Sequence, residues 1–213
     1  MTRYLAERGV ESHFINGLRV TTAEVIDAVL KVFAGTVNTE LVAAFRAAGA
    51  NPVGLTGLDS GLVDAELLDN GALGAVGRPH RSDARLLNLL TRERYLPIIA
   101  CVAGDANGRV YNVNADQMAV ACASSFGAGS LIFLTDVDGV KGANGNILES
   151  LAAADAAELI CTGVATGGMQ AKLEAAVAAL NAGVSEIVIA PGGKTGIVGE
   201  ILAGLPVGTR IVR

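Results

Sequence analysis

Two glycines stand ahead of a lysine in ATGGMQAKLEAAV (165–177). Gly167 and Gly168 lead into a helical pattern, and Lys172 falls within its first turn or so. Backbone N–H groups at a glycine-rich helix start attract phosphate, and a lysine there adds a mobile positive charge. The competing reading is a solvated surface lysine, which most lysines are. In VYNVNADQMAV (110–120), Asn114 followed by Gln117 resembles a capping box, so Asn114 is expected to cap a helix starting near Ala115. Asp116 then sits in the first turn, where a carboxylate complements the helix dipole or orients a nearby lysine. Asn112 ends the extended segment before it; it has no capping duty and is open to a ligand.

A third stretch, LIFLTDVDGV (131–140), runs an apolar strand into Thr135, Asp136 and the pair Asp138–Gly139. It reads either as an ordinary Asp–Gly turn or as a nucleotide-contacting loop at a strand's carboxyl end. In INGLRVTT (15–22), Arg19 lies between apolar neighbours, just before a helix capped by Thr21 or Thr22. Its planar fork of donors suits a carboxylate, of a ligand or of a structural salt bridge. PGGKTG (191–196) imitates the end of a phosphate-binding loop. That motif needs a glycine five positions before Gly193, and Val188 stands there, so the segment is read as a strand-to-helix turn. His13 and His80 lack acidic or cysteine partners at ligand spacing. Cys101, Cys122 and Cys161 lie far apart among apolar or small residues, so no metal site is expected and all three are read as small core fillers.

These residues need elements to hold them. Short apolar runs bounded by Gly, Pro or Asp predict strands at 51–55, 95–103, 130–137, 185–191 and 209–213. Continuous rather than alternating apolar runs predict strands covered on both faces, as in a parallel sheet. Helical periodicity fills the intervals: two helices within 22–49 separated near Gly35, then 82–93, 115–128, 151–160, 169–183 and 196–204. The segment 56–82 reads as a hairpin or excursion. Alternating helix and strand predicts an α/β class, a three-layer αβα sandwich with a mostly parallel central sheet.

The 213 residues are 51% hydrophobic and carry a net charge of −5. No basic run marks nucleic acid or an anionic membrane as partner. The charged N-terminus (Arg3, Glu7, Arg8, Glu11) has no apolar signal segment, and the uncharged stretch from Asp116 to Asp136 is broken by ASSFGAGS. A cytoplasmic protein is expected.

Taken together, GLRVTT, GTVNTELV, YNVNADQMA, LTDVDGV, GGMQAK and GLPVGTRIV occur in the order and spacing of N-acetylglutamate kinases. From about Gly9 to Arg213 the chain resembles that family, a branch of the amino-acid kinase superfamily. The resemblance implies transfer of the γ-phosphoryl group of ATP to the side-chain carboxylate of N-acetyl-L-glutamate, in arginine biosynthesis. It implies Arg19 as the holder of the substrate's α-carboxylate, with Asn112 and Asn114 on the substrate side and Asn112 near the reacting end. Lys172 is implied to stabilise charge on the transferring phosphoryl group, and Asp116 to orient the active-site lysines. Thr135, Asp136, Gly168 and Met169 are implied to line the nucleotide site, with Mg²⁺ accompanying ATP. A homodimer is implied, as is a division into a substrate-binding lobe (1–95) and a nucleotide-binding lobe (96–213).

The chain also departs from the family. Its K-x-G-G and H-G-G-G-P loops do not occur in these 213 residues. The resemblance therefore implies an amino-acid kinase fold truncated at its N-terminus, through a start assigned at an internal methionine or a shortened product, with little turnover from these residues alone. GLDSG (57–61) stands where relatives carry G-K-D-G, so Leu58 replaces a lysine. Two other readings remain: a sister kinase for a carrier-bound aminoadipate or glutamate, which GLRVTT disfavours, and a non-catalytic ligand-binding remnant.

Overall fold

The computed structural model describes residues 1–15 and 17–213; Asn16, within INGLRVTT, lies outside the described residues. The chain divides into two compact units, Met1–Phe126 and Gly127–Arg213.

The first unit opens with helix α1 (Thr2–Ala6) and a small hairpin of β1 (Phe14–Ile15) and β2 (Leu18–Arg19). Helix α2 (Ala23–Ala47) follows. The sequence places a break near Gly35, but the helix runs through. Its turns widen to π geometry over Leu30–Val37 and return to α geometry at Asn38. Tertiary packing overrides the weak helix propensity of glycine here: Val25, Ala28, Val29 and Val32 are buried. The π segment ends at Asn38, which is buried and donates from Nδ2 to the Ile98 carbonyl over 2.9 Å. By length and composition alone this helix could cross a membrane, its best window having a mean hydropathy of 1.4.

Strands β3 (Pro52–Thr56) and β6 (Leu96–Ala100) pair in parallel. Strands β4 (Val63–Leu67), β5 (Val76–Ser82), β7 (Val102–Gly104) and β8 (Val110–Val113) close into a small barrel. The excursion expected at 56–82 is the antiparallel hairpin of β4 and β5. The single strand expected at 95–103 breaks at Cys101 into β6 and β7, which pair with different partners. Helix α3 (Arg85–Arg92) and helix α4 (Ala115–Phe126) complete the unit. Leu62, Val63, Ala65, Tyr111, Val113 and Met118 form its core. The lobe boundary expected at 95/96 falls inside this unit, because β6 joins β3 while β7 and β8 close the barrel with β4 and β5.

The second unit carries β9 (Ser130–Thr135), β10 (Ser150–Ala152), helix α5 (Ala153–Cys161), helix α6 (Gly167–Asn181), β11 (Glu186–Pro191), helix α7 (Ile197–Leu202) and β12 (Thr209–Val212). The sheet order is β10-β12-β11-β9, parallel except between β11 and β12. Ile187 to Ala190 of β11 are consecutively buried, as a strand covered on both faces requires. The α/β reading holds, with β3–β6, β9–β11 and β10–β12 as parallel pairs.

Candidate active site

In the first unit, Arg19 ends the hairpin opposite Phe14, and its guanidinium lies over that ring, 4.4 Å from the centroid. Nη1 donates to Ser12 Oγ, and Nη2 donates to Thr2 Oγ1 over 3.3 Å. Among the described residues its side-chain partners are two hydroxyls and a ring, and no carboxylate pairs with it. Partial burial lowers the pKa of Arg19, yet arginine keeps its charge in proteins. The half-buried fork sits on a short strand pinned by these contacts, and its planar set of donors has the geometry that suits a carboxylate.

The two threonines after it divide two tasks. Thr22 caps α2, its Oγ1 accepting from Val25 N over 3.4 Å. Thr21 is buried and turns the other way; its hydroxyl donates to the Arg19 carbonyl over 2.8 Å and accepts from Asn112 Nδ2 over 3.0 Å. Arg19 and Asn112, far apart in sequence, are therefore joined through one side chain.

Asn112 lies on β8, and the chain passes directly into α4. Asn114 caps that helix, its Oδ1 accepting from Asp116 N (3.0 Å) and Gln117 N (3.1 Å). That commits the Asn114 side-chain oxygen to the helix start, as the capping pattern predicts. Asp116 is half-buried in the first turn, at the positive end of the helix dipole.

In the second unit, β9 delivers Thr135 at its carboxyl end, and the Thr135 hydroxyl donates to Asp136 Oδ1 over 3.1 Å. The Thr135 carbonyl accepts from Gly192 N over 2.7 Å, so the ends of β9 and β11 lie side by side. Helix α6 starts two residues earlier than its sequence pattern predicts, at Gly167, and no side chain caps it. Met169 N and Gln170 N donate to the Thr166 carbonyl over 3.2 and 3.4 Å, and the glycine-led start of the helix is of the kind that favours an anion. A side chain at Gly168 would meet open space, and Met169 follows in the same turn. Lys172 therefore lies in the second turn, with Nζ 5.8 Å from the Phe133 ring centroid. Phe133 and Thr135 are two residues apart on β9 and share a face, so the Lys172 ammonium stands over the face that carries Thr135. Lys194 of the rejected phosphate-loop imitation pairs with Glu200 over 2.6 Å.

An apolar groove of about 360 Å³ opens in the first unit, lined among others by Phe33, Asn38, Ile98, Cys101, Met118 and Cys122. None of the sequence-predicted site residues lines it. Burial pushes the Cys101 thiol up and the Cys122 thiol up to about 11, so both are inert at neutral pH. The His13 side chain lies 3.2 Å from that of exposed Glu11.

The structure thus links the backbone carbonyl of Arg19 to the Asn112 side chain through Thr21 in one unit, and places Thr135, Asp136 and the Phe133–Lys172 pair on one end of β9 in the other. Sequence reasoning missed Thr21 and Phe133. The paired threonines held a signal, since one helix needs only one cap.

A model of the amino acid kinase family matches residues 1–191. The chain is 59% identical over 212 residues to an acetylglutamate kinase of Solibacter usitatus, covering 100% of the chain and 82% of that relative. It is 41% identical over 191 residues to an acetylglutamate kinase of Geobacillus kaustophilus, covering 90% of the chain and 74% of the relative. The fold matches the crystal structure of smu.665 from Streptococcus mutans with a TM-score of 0.86 at 30% identity, over 99% of the chain and 81% of that protein.

Proposed function

This chain belongs to the amino acid kinase family, and we propose that it transfers the γ-phosphoryl group of ATP to the side-chain carboxylate of N-acetyl-L-glutamate, a step of arginine biosynthesis. The observation that carries the reading is the Arg19–Thr21–Asn112 connection, in a chain 59% identical to an acetylglutamate kinase.

In this reading Arg19 takes the substrate's α-carboxylate with its paired N–H groups. Asn112 contacts the substrate near its reacting end, and Asn114 supports it from the helix cap. Lys172 neutralises charge on the transferring phosphoryl group, and Asp116 orients the lysine chemistry. Thr135, Asp136, Gly168 and Met169 line the nucleotide. Phosphoryl transfer depends on positioning and charge neutralisation more than on covalent groups, which suits a site built of one guanidinium, one ammonium and helix-start amides.

Among the described residues, no group of three or more His, Cys, Asp or Glu side chains is placed to hold a metal ion. In this reading Mg²⁺ enters as part of the ATP substrate, held mainly by its phosphates. The protein acts in the cytoplasm and pairs as a homodimer. Leu30, Val37, Leu41 and Phe45 expose 37–43% of their surface along α2 and supply an apolar face for that pairing.

Calorimetric titration with N-acetyl-L-glutamate, L-glutamate and a carrier-linked glutamate tests the substrate. Free N-acetyl-L-glutamate should bind roughly 10-fold or more tighter than the others, and ATP-dependent trapping with hydroxylamine should follow the same order. Tighter binding of the carrier-linked ligand, or of none, would overturn the assignment.

A further inference from the structure

We propose that Thr21 is a positioning residue of the substrate site: its hydroxyl decides which end of the Asn112 carboxamide faces inward, and ties that amide to the strand bearing Arg19. The ligand named below rests on the kinase reading; the geometry does not.

Thr21 is 1% exposed. Its N–H donates to the Leu73 carbonyl over 2.8 Å, and its carbonyl accepts from Ala75 N over 2.7 Å. The residue between those partners, Gly74, has φ +70°, and a Cβ there would come within 2.2 Å of the Thr21 carbonyl oxygen. Only glycine lets this approach happen. The Thr21 backbone is clamped, and its β-branched side chain has few rotamers.

A hydroxyl carries one proton, and that of Thr21 goes to the Arg19 carbonyl over 2.8 Å. Toward Asn112 it therefore offers only lone pairs. Asn112 must present its NH₂, which it does over 3.0 Å. Its Oδ1 is consequently turned the opposite way. A flipped amide would set oxygen against oxygen. The Asn112 backbone is itself fixed, its N–H donating to the Ala75 carbonyl over 2.9 Å. Leu73, Gly74 and Ala75 thus seat both Thr21 and Asn112. Thr22 caps α2, so the helix makes no use of the Thr21 hydroxyl.

Two substitutions isolate that hydroxyl: Thr21→Val keeps the shape and loses it, and Thr21→Ser keeps it. Kd for N-acetyl-L-glutamate should rise roughly 10-fold in Thr21→Val and stay within about threefold of wild type in Thr21→Ser. Kd for ATP should stay within about twofold in both. In an Asn112→Ala background, Thr21→Val should add no further loss. An equal rise of both Kd values would show a merely structural role and overturn the proposal.

Nuclear magnetic resonance of the ¹⁵N-labelled wild-type chain gives a readout that needs neither ligand nor variant. One Asn112 Nδ2 proton should be protected from solvent exchange; rapid exchange of both would overturn the proposal even if Thr21→Val does not fold. A protected proton in a protein that binds no N-acetyl-L-glutamate would uphold the positioning role while sinking the substrate assignment.

Discussion

Asn38 donates from Nδ2 to the Ile98 carbonyl over 2.9 Å, sixty residues further along the chain. Its oxygen faces Gly54, where a Cβ would stand 2.2 Å from Oδ1. One carboxamide, turned inward where the π segment of α2 ends, thereby sits on both strands of the β3–β6 pair. Polar atoms that are buried must be bonded, and this one fixes the helix against the strands.

Asn38→Ala should cost about 1–3 kcal/mol, through the lost bond to the Ile98 carbonyl and the space the side chain vacates. Gly54→Ala should cost a comparable amount in the parent and clearly less in the Asn38→Ala background, since the clashing oxygen is gone. Urea unfolding of the two single variants and the double variant measures the coupling. Strict additivity would show that the two residues act apart.

Arg19→Lys removes the planar fork while keeping the charge. The substitution should weaken N-acetyl-L-glutamate binding by roughly 10-fold or more and leave ATP binding unchanged, because a lysine binds a carboxylate as a point charge. Titration calorimetry with both ligands reads the outcome. Unchanged affinity for N-acetyl-L-glutamate would remove Arg19 from the substrate site.

Cys122 should be silent toward iodoacetamide at pH 8 in the folded chain, and exposed Cys161 should be alkylated first. The same burial predicts a stability change with pH. The ordinary thiol value is 9.0, and in the folded chain Cys122 is raised to about 11. Between these values the unfolded chain releases a proton that the folded chain keeps. Stability is therefore full below pH 9 and falls as pH rises toward 11. Peptide mapping and unfolding midpoints from pH 8 upward check both statements.

Ser60→Gly should stabilise the first unit. Ser60 holds φ at +57°, beside Asp59, whose Oδ2 accepts from Thr56 N over 2.6 Å. A side chain in the left-handed region costs about 1–2 kcal/mol, offset in part by the greater freedom of glycine in the unfolded chain. A net gain of roughly 0.5–1 kcal/mol is expected in thermal unfolding. A lower melting temperature would show that Ser60 contributes something its backbone angle does not reveal.

The sequence by itself determined the class of fold and most elements, and it singled out the candidate site residues. Local signals suffice for these. Periodicity marks helices and strands, Asn114 and Gln117 mark a helix start, and the glycines before Lys172 mark an anion-friendly terminus. Only the tertiary structure decided that α2 runs through Gly35, since its buried face and the Asn38 bond outweigh one weak residue. The same holds for the unit boundary after Phe126, which depends on which strands pair and not on composition. It also decided what Thr21 is for. A buried hydroxyl with one proton and two partners acquires its direction from where those partners stand. The Arg19 carbonyl is a local partner, two residues away, but Asn112 becomes a neighbour of Thr21 only when β8 and the segment after β2 lie against Leu73–Ala75.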